Sequence, residues 1–182
     1  MRIIAGEYRG RRIDVAQNPD LRPTPDRVRE TLFNWLGQWL DGLACLDLFA
    51  GSGALGFEAA SRGAARVVMV EQDRAVFRNL RKTRDGIGAD RVELVNDDAL
   101  AYLRKAESFD LVFLDPPFRQ NALPAVFRLL KGKNGMRVYV ESDQPFDPGA
   151  QWQETKRARA GQVSYQLFQW RSDDQGGLSR NV

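Results

Sequence analysis

The sequence predicts an α/β fold: a mostly parallel, seven-stranded sheet with helices on both faces, an antiparallel C-terminal edge and an N-terminal β-hairpin. Three observations carry this. Five short apolar runs between residues 44 and 140 alternate with helical stretches, the pattern of a parallel sheet wrapped by crossover helices. Two β-prone runs then follow without a helix between them, and two more flank Gly6 and Gly10 at the front of the chain.

The hairpin is expected from runs 2–5 and 12–15. Residues 1–12 hold Arg2, Arg9, Arg11 and Arg12 against Glu7 alone. A loop follows, punctuated by Pro19, Pro23 and Pro25. Thr24 is expected to cap a helix with Pro25 at its first position and Asp26 in its first turn. Val28, Leu32, Trp35, Leu36 and Trp39 keep helical spacing, so this helix should run to about Leu40, stop at Gly42 and pack both tryptophans. Strands are expected at 45–49, 66–70, 92–95, 109–114 and 136–140, with helices at 55–61, 73–84, 99–105 and 123–130. The closing strands are 152–158 and 162–170. The chain divides into a basic extension and loop (1–24), a main domain (25–171) and a polar, Gly-rich tail (172–182) expected to be disordered.

Composition narrows the chemistry. The 182 residues include no histidine and one cysteine, Cys45, which removes His-based triads, His-ligated metals, disulfides and Cys-rich zinc sites. No metal is expected, and Cys45, in a buried strand, should be inert. No apolar run reaches the roughly 20 residues of a membrane-spanning helix, and the N-terminus lacks a signal peptide's apolar stretch, so a cytoplasmic protein is expected. A net charge of +3 and a pI near 9.2 permit a polyanionic partner.

Gly51, Gly53 and Gly56 form Gly-x-Gly-x-x-Gly between an expected strand and helix, and Glu71 stands 20 residues past Gly51 at the end of the next strand. This is the context of a nucleotide-binding loop. Glycines admit a ligand to the backbone, the helix N-terminus offers N–H groups, and Glu71 can accept from ribose hydroxyls. These residues alone leave a dinucleotide and S-adenosylmethionine both open. Two further carboxylates favour S-adenosylmethionine: Asp47, four residues before Gly51, for its cationic end, and Asp98, after the third strand, for the adenine amine. Gln72 and Ala99, neighbours of Glu71 and Asp98, complete the expected cofactor set. Asp97 competes with Asp98, which is preferred because it directly precedes the helix.

Asp115-Pro116-Pro117-Phe118 follows the fourth strand, so it faces the same crevice. An exocyclic base amine is a poor nucleophile because its lone pair is delocalised. The Asp115 carboxylate and the Pro116 carbonyl can accept its N–H groups, the prolines preorganise them, and Phe118 can stack on the base. Catalysis is then mainly positioning, and no histidine is required.

The run from Asp47 to Glu58 together with Asp115-Pro116-Pro117-Phe118 resembles the amino-methylating S-adenosylmethionine-dependent methyltransferases. Arg2-Ile3-Ile4-Ala5-Gly6, Gly10-Arg11, Arg22-Pro23-Thr24, Arg27-Val28-Arg29-Glu30 and Phe33-Asn34 are similar to the bacterial 16S ribosomal RNA guanine-N2 methyltransferase D family, over residues 1 to about 170. The resemblance implies a Rossmann-like methyltransferase with a hairpin extension, acting on one guanine N2 of small-subunit ribosomal RNA within the ribosomal particle. A monomer is expected, because nothing in the sequence demands more. Arg2, Arg9, Arg11, Arg12, Arg22 and Arg27 are then the expected RNA contacts. The basic stretch Arg74, Arg78, Arg81, Lys82 and Arg84 is read as a solvated helix face. A DNA adenine-N6 or small-molecule amine methyltransferase, a dinucleotide-dependent oxidoreductase and a non-catalytic RNA-binding module are the alternatives.

Overall fold

The computed structural model describes residues 1–15 and 24–171. Arg22, the loop 16–23 and the expected disordered tail 172–182 lie outside the described residues. Helix α1 (Asp26–Leu36) precedes an alternating series: β1 (Ala44–Asp47), α2 (Ala54–Ser61), β2 (Arg66–Val70), α3 (Arg74–Ile87), β3 (Val92–Val95), α4 (Ala99–Lys105), β4 (Leu111–Leu114), α5 (Leu123–Leu129) and β5 (Arg137–Ser142). Strands β6 (Trp152–Ala160) and β7 (Val163–Trp170) close the chain.

The seven strands form one sheet in the order β3-β2-β1-β4-β5-β7-β6. The first five are parallel, while β7 runs antiparallel to both β5 and β6. The two-residue period of a strand sorts the core. Cys45, Val67, Met69, Leu111, Phe113 and Tyr139 face α1, α2 and α3, whereas Leu46, Val68, Val112, Leu114, Val138 and Val140 pack with residues of α4 and α5. Strand β4 is buried throughout, as a parallel strand covered on both sides must be. The edge strand β6 is mostly exposed and carries Lys156, Arg157 and Arg159, charges that discourage pairing with another chain. Burial pushes the Cys45 thiol up to about 12, which keeps it unreactive.

Three expectations about α1 are corrected. Thr24 does not cap it: Pro25 occupies the cap position with no side-chain bond, and the Thr24 hydroxyl donates instead to Glu141 Oε1 at 3.0 Å. The helix stops at Leu36, because Gly37 adopts φ +94° and Gln38 N–H bonds back to the Phe33 carbonyl at 2.8 Å. Trp39 therefore lies beyond the helix and is 62 % exposed, while Trp35 stays against the core.

The N-terminal hairpin is held by the Arg2–Arg12 bridge and by three backbone bonds, Ile3 N–H to the Arg11 carbonyl at 3.0 Å, Gly10 N–H to the Ile3 carbonyl at 2.9 Å and Ile13 N–H to the Met1 carbonyl at 2.9 Å. It is also tied to α2 by side-chain acceptors. Gly6 has φ +84°, and a Cβ there would meet the Ser61 carbonyl oxygen at 1.9 Å, so only glycine fits. The fully buried Glu58 of α2 accepts the N–H groups of Ile4 and Ala5 at 2.9 and 3.0 Å, Arg62 Nε at 2.9 Å and Arg29 Nη1 at 3.4 Å. Arg29, itself fully buried, also donates to the Arg2 carbonyl at 2.9 Å.

Glu58→Ala is expected to cost about 3–5 kcal/mol of stability, because it leaves buried cations and two backbone donors without their acceptor. Chemical denaturation measures this, and an unchanged midpoint would show that the arm is held by other contacts.

Candidate active site

The crevice opens where the strand order reverses, between the C-terminal ends of β1 and β4. The glycine loop forms one wall. Gly51 and Gly53 have φ +53° and +82°. A Cβ at Gly53 would approach Met69 and Phe57 to 2.6 Å, and one at Gly56 would approach Met69 to 2.9 Å. Gly53 thus permits the turn, and Gly56 lets α2 pack onto β2. Asp47, 3 % exposed, accepts the Gly56 N–H at 3.0 Å through Oδ2. Glu71 accepts Gly51 N–H at 3.0 Å and Asp73 N–H at 2.8 Å, one on each carboxylate oxygen. It therefore braces the loop, and each of its oxygens keeps a second lone pair for a hydroxyl.

Asn96 Nδ2 donates to the carbonyls of Glu71 and Gln72 at 2.7 and 3.1 Å, tying the loops after β2 and β3 together. Of the two aspartates that follow, Asp97 pairs with Lys105 at 2.7 Å and accepts Asp98 N–H at 2.9 Å. Asp98 caps α4, its Oδ1 accepting Ala101 N–H at 2.9 Å, and is exposed; Ala99 opens the helix.

The opposite wall comes from β4 and β5. Asp115 follows β4, Pro116 is buried, and Phe118 is 39 % exposed at the rim, in a short 3-10 turn over Phe118–Gln120. Among the described residues, no donor bonds the Asp115 carboxylate or the Pro116 carbonyl. Beside Asp115 stands Glu141, 5 % exposed, which sequence reasoning missed. Its Oε1 accepts the hydroxyls of Thr24 at 3.0 Å and Tyr139 at 3.1 Å. The available signal was positional: Glu141 ends the apolar run of β5 as Asp47, Glu71 and Asp115 end or follow β1, β2 and β4.

Burial dominates the electrostatics. It pushes Asp47 up to about 7, opposed by the Gly56 N–H and reinforced by Glu71 and Glu141. Glu141 is likewise pushed up to about 7, against the Thr24 and Tyr139 hydrogen bonds. Asp115 is raised well above the usual carboxylate range by burial and by the charges of Glu141 and Asp47. Glu71 is raised mainly by burial, against its backbone donors. This crevice of acids is suited to a ligand that brings positive charge or several N–H groups, which favour the ionised forms.

A groove of about 340 Å³ adjoins it, lined by Arg27, Thr31 and Trp35 of α1, Tyr139, Arg159 and Tyr165 among others. Of the other expected RNA contacts, Arg2 donates to the Gly10 carbonyl at 2.6 Å, while Arg9, Arg11 and Arg12 are exposed. The hairpin tip is anchored at Ser61, the end of α2 remote from the glycine loop, so these arginines do not converge on the crevice. Arg74, Arg78, Arg81 and Lys82 are exposed along α3.

The family model described as conserved hypothetical protein 95 matches residues 1–169. The chain is 44% identical over 178 residues to ribosomal RNA small subunit methyltransferase D of Escherichia coli K12, covering 93% of this chain and 89% of the relative. It is 42% identical to the protein of the same name from Haemophilus influenzae, covering 93% of each. The solved structure of yhhF from Escherichia coli superposes with a TM-score of 0.86 at 42% identity, covering 95% of this chain and 99% of that one. A precorrin methyltransferase from Geobacter metallireducens, at 19% identity and a TM-score of 0.66 over 88% of this chain and 94% of that one, shares the Rossmann-like fold. Glycine loop, acidic crevice, hairpin arm and near-full-length similarity lead to one conclusion: the chain belongs to the ribosomal RNA small subunit methyltransferase D family.

Proposed function

We propose that this protein is an rRNA (guanine-N2)-methyltransferase that takes its methyl group from S-adenosylmethionine and acts on 16S ribosomal RNA in the small subunit. The observation that carries this is Asp115 beside Pro116: a half-buried carboxylate and a carbonyl, neither with a described donor, at the mouth of the glycine-loop crevice. Those are the acceptors an exocyclic amine needs. The relatives' names supply the RNA class.

The residues suit the donor. Side chains at Gly53 and Gly56 would collide with β2, Glu71 offers lone pairs for ribose hydroxyls, and Asp98 keeps an oxygen for the adenine amine, whereas both oxygens of Asp97 are engaged. Gln72 and Ala99 flank these positions. Asp47 would face the cationic end. When bound, S-adenosylmethionine supplies an electrophilic methyl group. The protein's part is to hold the amine. Asp115 and the Pro116 carbonyl accept its N–H groups and favour a pyramidal nitrogen, and Phe118 stacks on the ring. The proton lost afterwards is acidic, so water can take it. Arg27 in the groove and Arg2, Arg9, Arg11 and Arg12 on the arm would contact phosphates.

Asp115→Ala is expected to abolish methyl transfer to small subunits while binding S-adenosylmethionine as before; normal turnover would overturn the assignment. Label should appear in N2-methylguanosine on nucleoside analysis, and label in N6-methyladenine would point to the adenine-specific alternative.

Asp47 sets a pH dependence. Its carboxyl is held up to about 7, and a cation favours the ionised form. Below that pH, binding must expel a proton, so affinity should rise from about pH 5.5 to 7 by up to about tenfold per unit. Calorimetry on the parent and on Asp47→Asn tests this: the variant's profile should be flatter, and identical profiles would remove Asp47 from the cation.

Charge reversal at Arg9, Arg11 and Arg12 should weaken binding to small subunits. It should also shallow the dependence of log affinity on log salt, by about one unit for each phosphate no longer neutralised. An unchanged slope would make these arginines solvated surface.

A further inference from the structure

We propose that Glu141 is a specificity-determining residue, accepting the N1–H of the target guanine while Asp115 accepts an N2–H; this rests on the guanine-N2 reading above. The sheet places the two side by side. Leu114 of β4 pairs in parallel register with Val140 of β5, and Asp115 and Glu141 are the next residues. Adjacent strands lie about 4.8 Å apart. Leu114 and Val140 belong to the core on the α4 and α5 face, so Asp115 and Glu141 turn toward the α1 face with Phe113 and Tyr139.

Guanine matches that pair. Its N1–H and N2–H are adjacent donors on one edge, whereas adenine has an acceptor at N1. Two neighbouring carboxylates accept from the first pattern and repel the second. Glu141 is also held for the task. Thr24, just before α1, and Tyr139 both donate to Oε1, and among the described residues nothing donates to Oε2. With Pro116, Phe118 and Leu123, Glu141 lines a cavity of about 40 Å³ beside the catalytic loop.

A structural role alone does not account for a carboxylate here. A glutamine could accept the same two hydroxyls without burying a charge next to Asp115 and Asp47. Burial already holds both Glu141 and Asp115 toward their neutral forms. A ligand edge with two N–H donors restores the ionised forms and offsets the cost of placing them together.

The test uses 2,6-diaminopurine, which keeps the 2-amine and turns N1 into an acceptor. Small subunits are reconstituted with 16S rRNA carrying either base at the position the unaltered enzyme methylates, and kcat/KM is compared as a ratio. The parent protein should prefer guanine by roughly 10–100-fold, the worth of a hydrogen bond to a charged group. Glu141→Gln presents an amide N–H to the N1 acceptor, so the ratio should collapse toward one or invert. Because a ratio is read, loss of folded protein cannot mimic the result. Tyr139→Phe, which removes one donor from Oε1, gives a second variant and should narrow the preference partway. An undiminished preference in Glu141→Gln overturns the inference while leaving the guanine-N2 reading standing. Absence of transfer to guanine by the parent protein overturns that reading, and this inference with it.

Discussion

The Glu58 carboxylate is the contact on which the rest of the architecture hangs. It sits in the helix that begins at the glycine loop, it is fully buried, and it collects two arm N–H groups, a guanidinium from α1 and another from the end of its own helix. Charges so deeply buried are tolerable only when each is paired and hydrogen-bonded. Here one carboxylate satisfies donors from three segments, so the arm, α1 and α2 can take only mutually consistent positions. Thr24, at the start of α1, reaches Glu141 from within that fixed arrangement. A contact on the back of α2 thus shapes both walls of the crevice: the glycine loop at the front of α2 and the carboxylates Asp115 and Glu141 beside α1.

A second constraint follows from the topology. Parallel strands deliver their C-terminal residues to one end of the sheet, and in this chain those residues are acids. Asp47, Glu71, Asp115 and Glu141 come from four strands or the residues just after them, with no histidine to share protons. All four carboxyls are raised chiefly because water is excluded, and Asp47 and Asp115 are raised further by their acidic neighbours. The folded protein gains nothing from such an arrangement by itself, since each raised carboxyl makes folding less favourable as pH rises through its value. Clusters of this kind are kept for what they bind.

Much of this was legible in the sequence. Strand β3 and helix α4 fall on their expected residues, because a short apolar run bounded by polar residues, and a helix opened by Asp98, are local signals. The glycine loop, Glu71 and Asp115 are local too: each is a residue type at a fixed distance from a strand end. The rest depends on tertiary distance. Thr24 looks like a helix cap, yet its partner is 117 residues away, and a buried acceptor outweighs a cap that Pro25 takes over without a side-chain bond. Gly37 ended α1 early because a left-handed glycine inside a periodic pattern is indistinguishable from a tolerated one until its carbonyl partners are known. Nothing local in the sequence marks Arg29 for burial, and only the fold shows it fully buried against Glu58. Glu141 escaped notice because it lacks a motif, although its place at the end of an apolar strand parallel to β4 was there to be used.

The placement of the arginines bears on the size of the RNA. The hairpin tip lies at the far end of α2 from the glycine loop, and an eight-residue helix is about 12 Å long. Arg27, by contrast, lines the groove beside Tyr139, next to the acceptor pair. A strand that threads only the groove could use Arg27 and the crevice without touching the tip. An RNA that engages both must wrap around the α2 side of the molecule while one base is turned into the crevice. That calls for a folded surface of fixed shape, as rRNA assembled in a particle provides and a short flexible oligonucleotide does not. Phosphate contacts at the tip would then select for the shape of the substrate, while Asp115 and Glu141 select the base. Under that reading, division of recognition in this way would let a small crevice of acids, which would repel a polyanion on its own, receive a base from one.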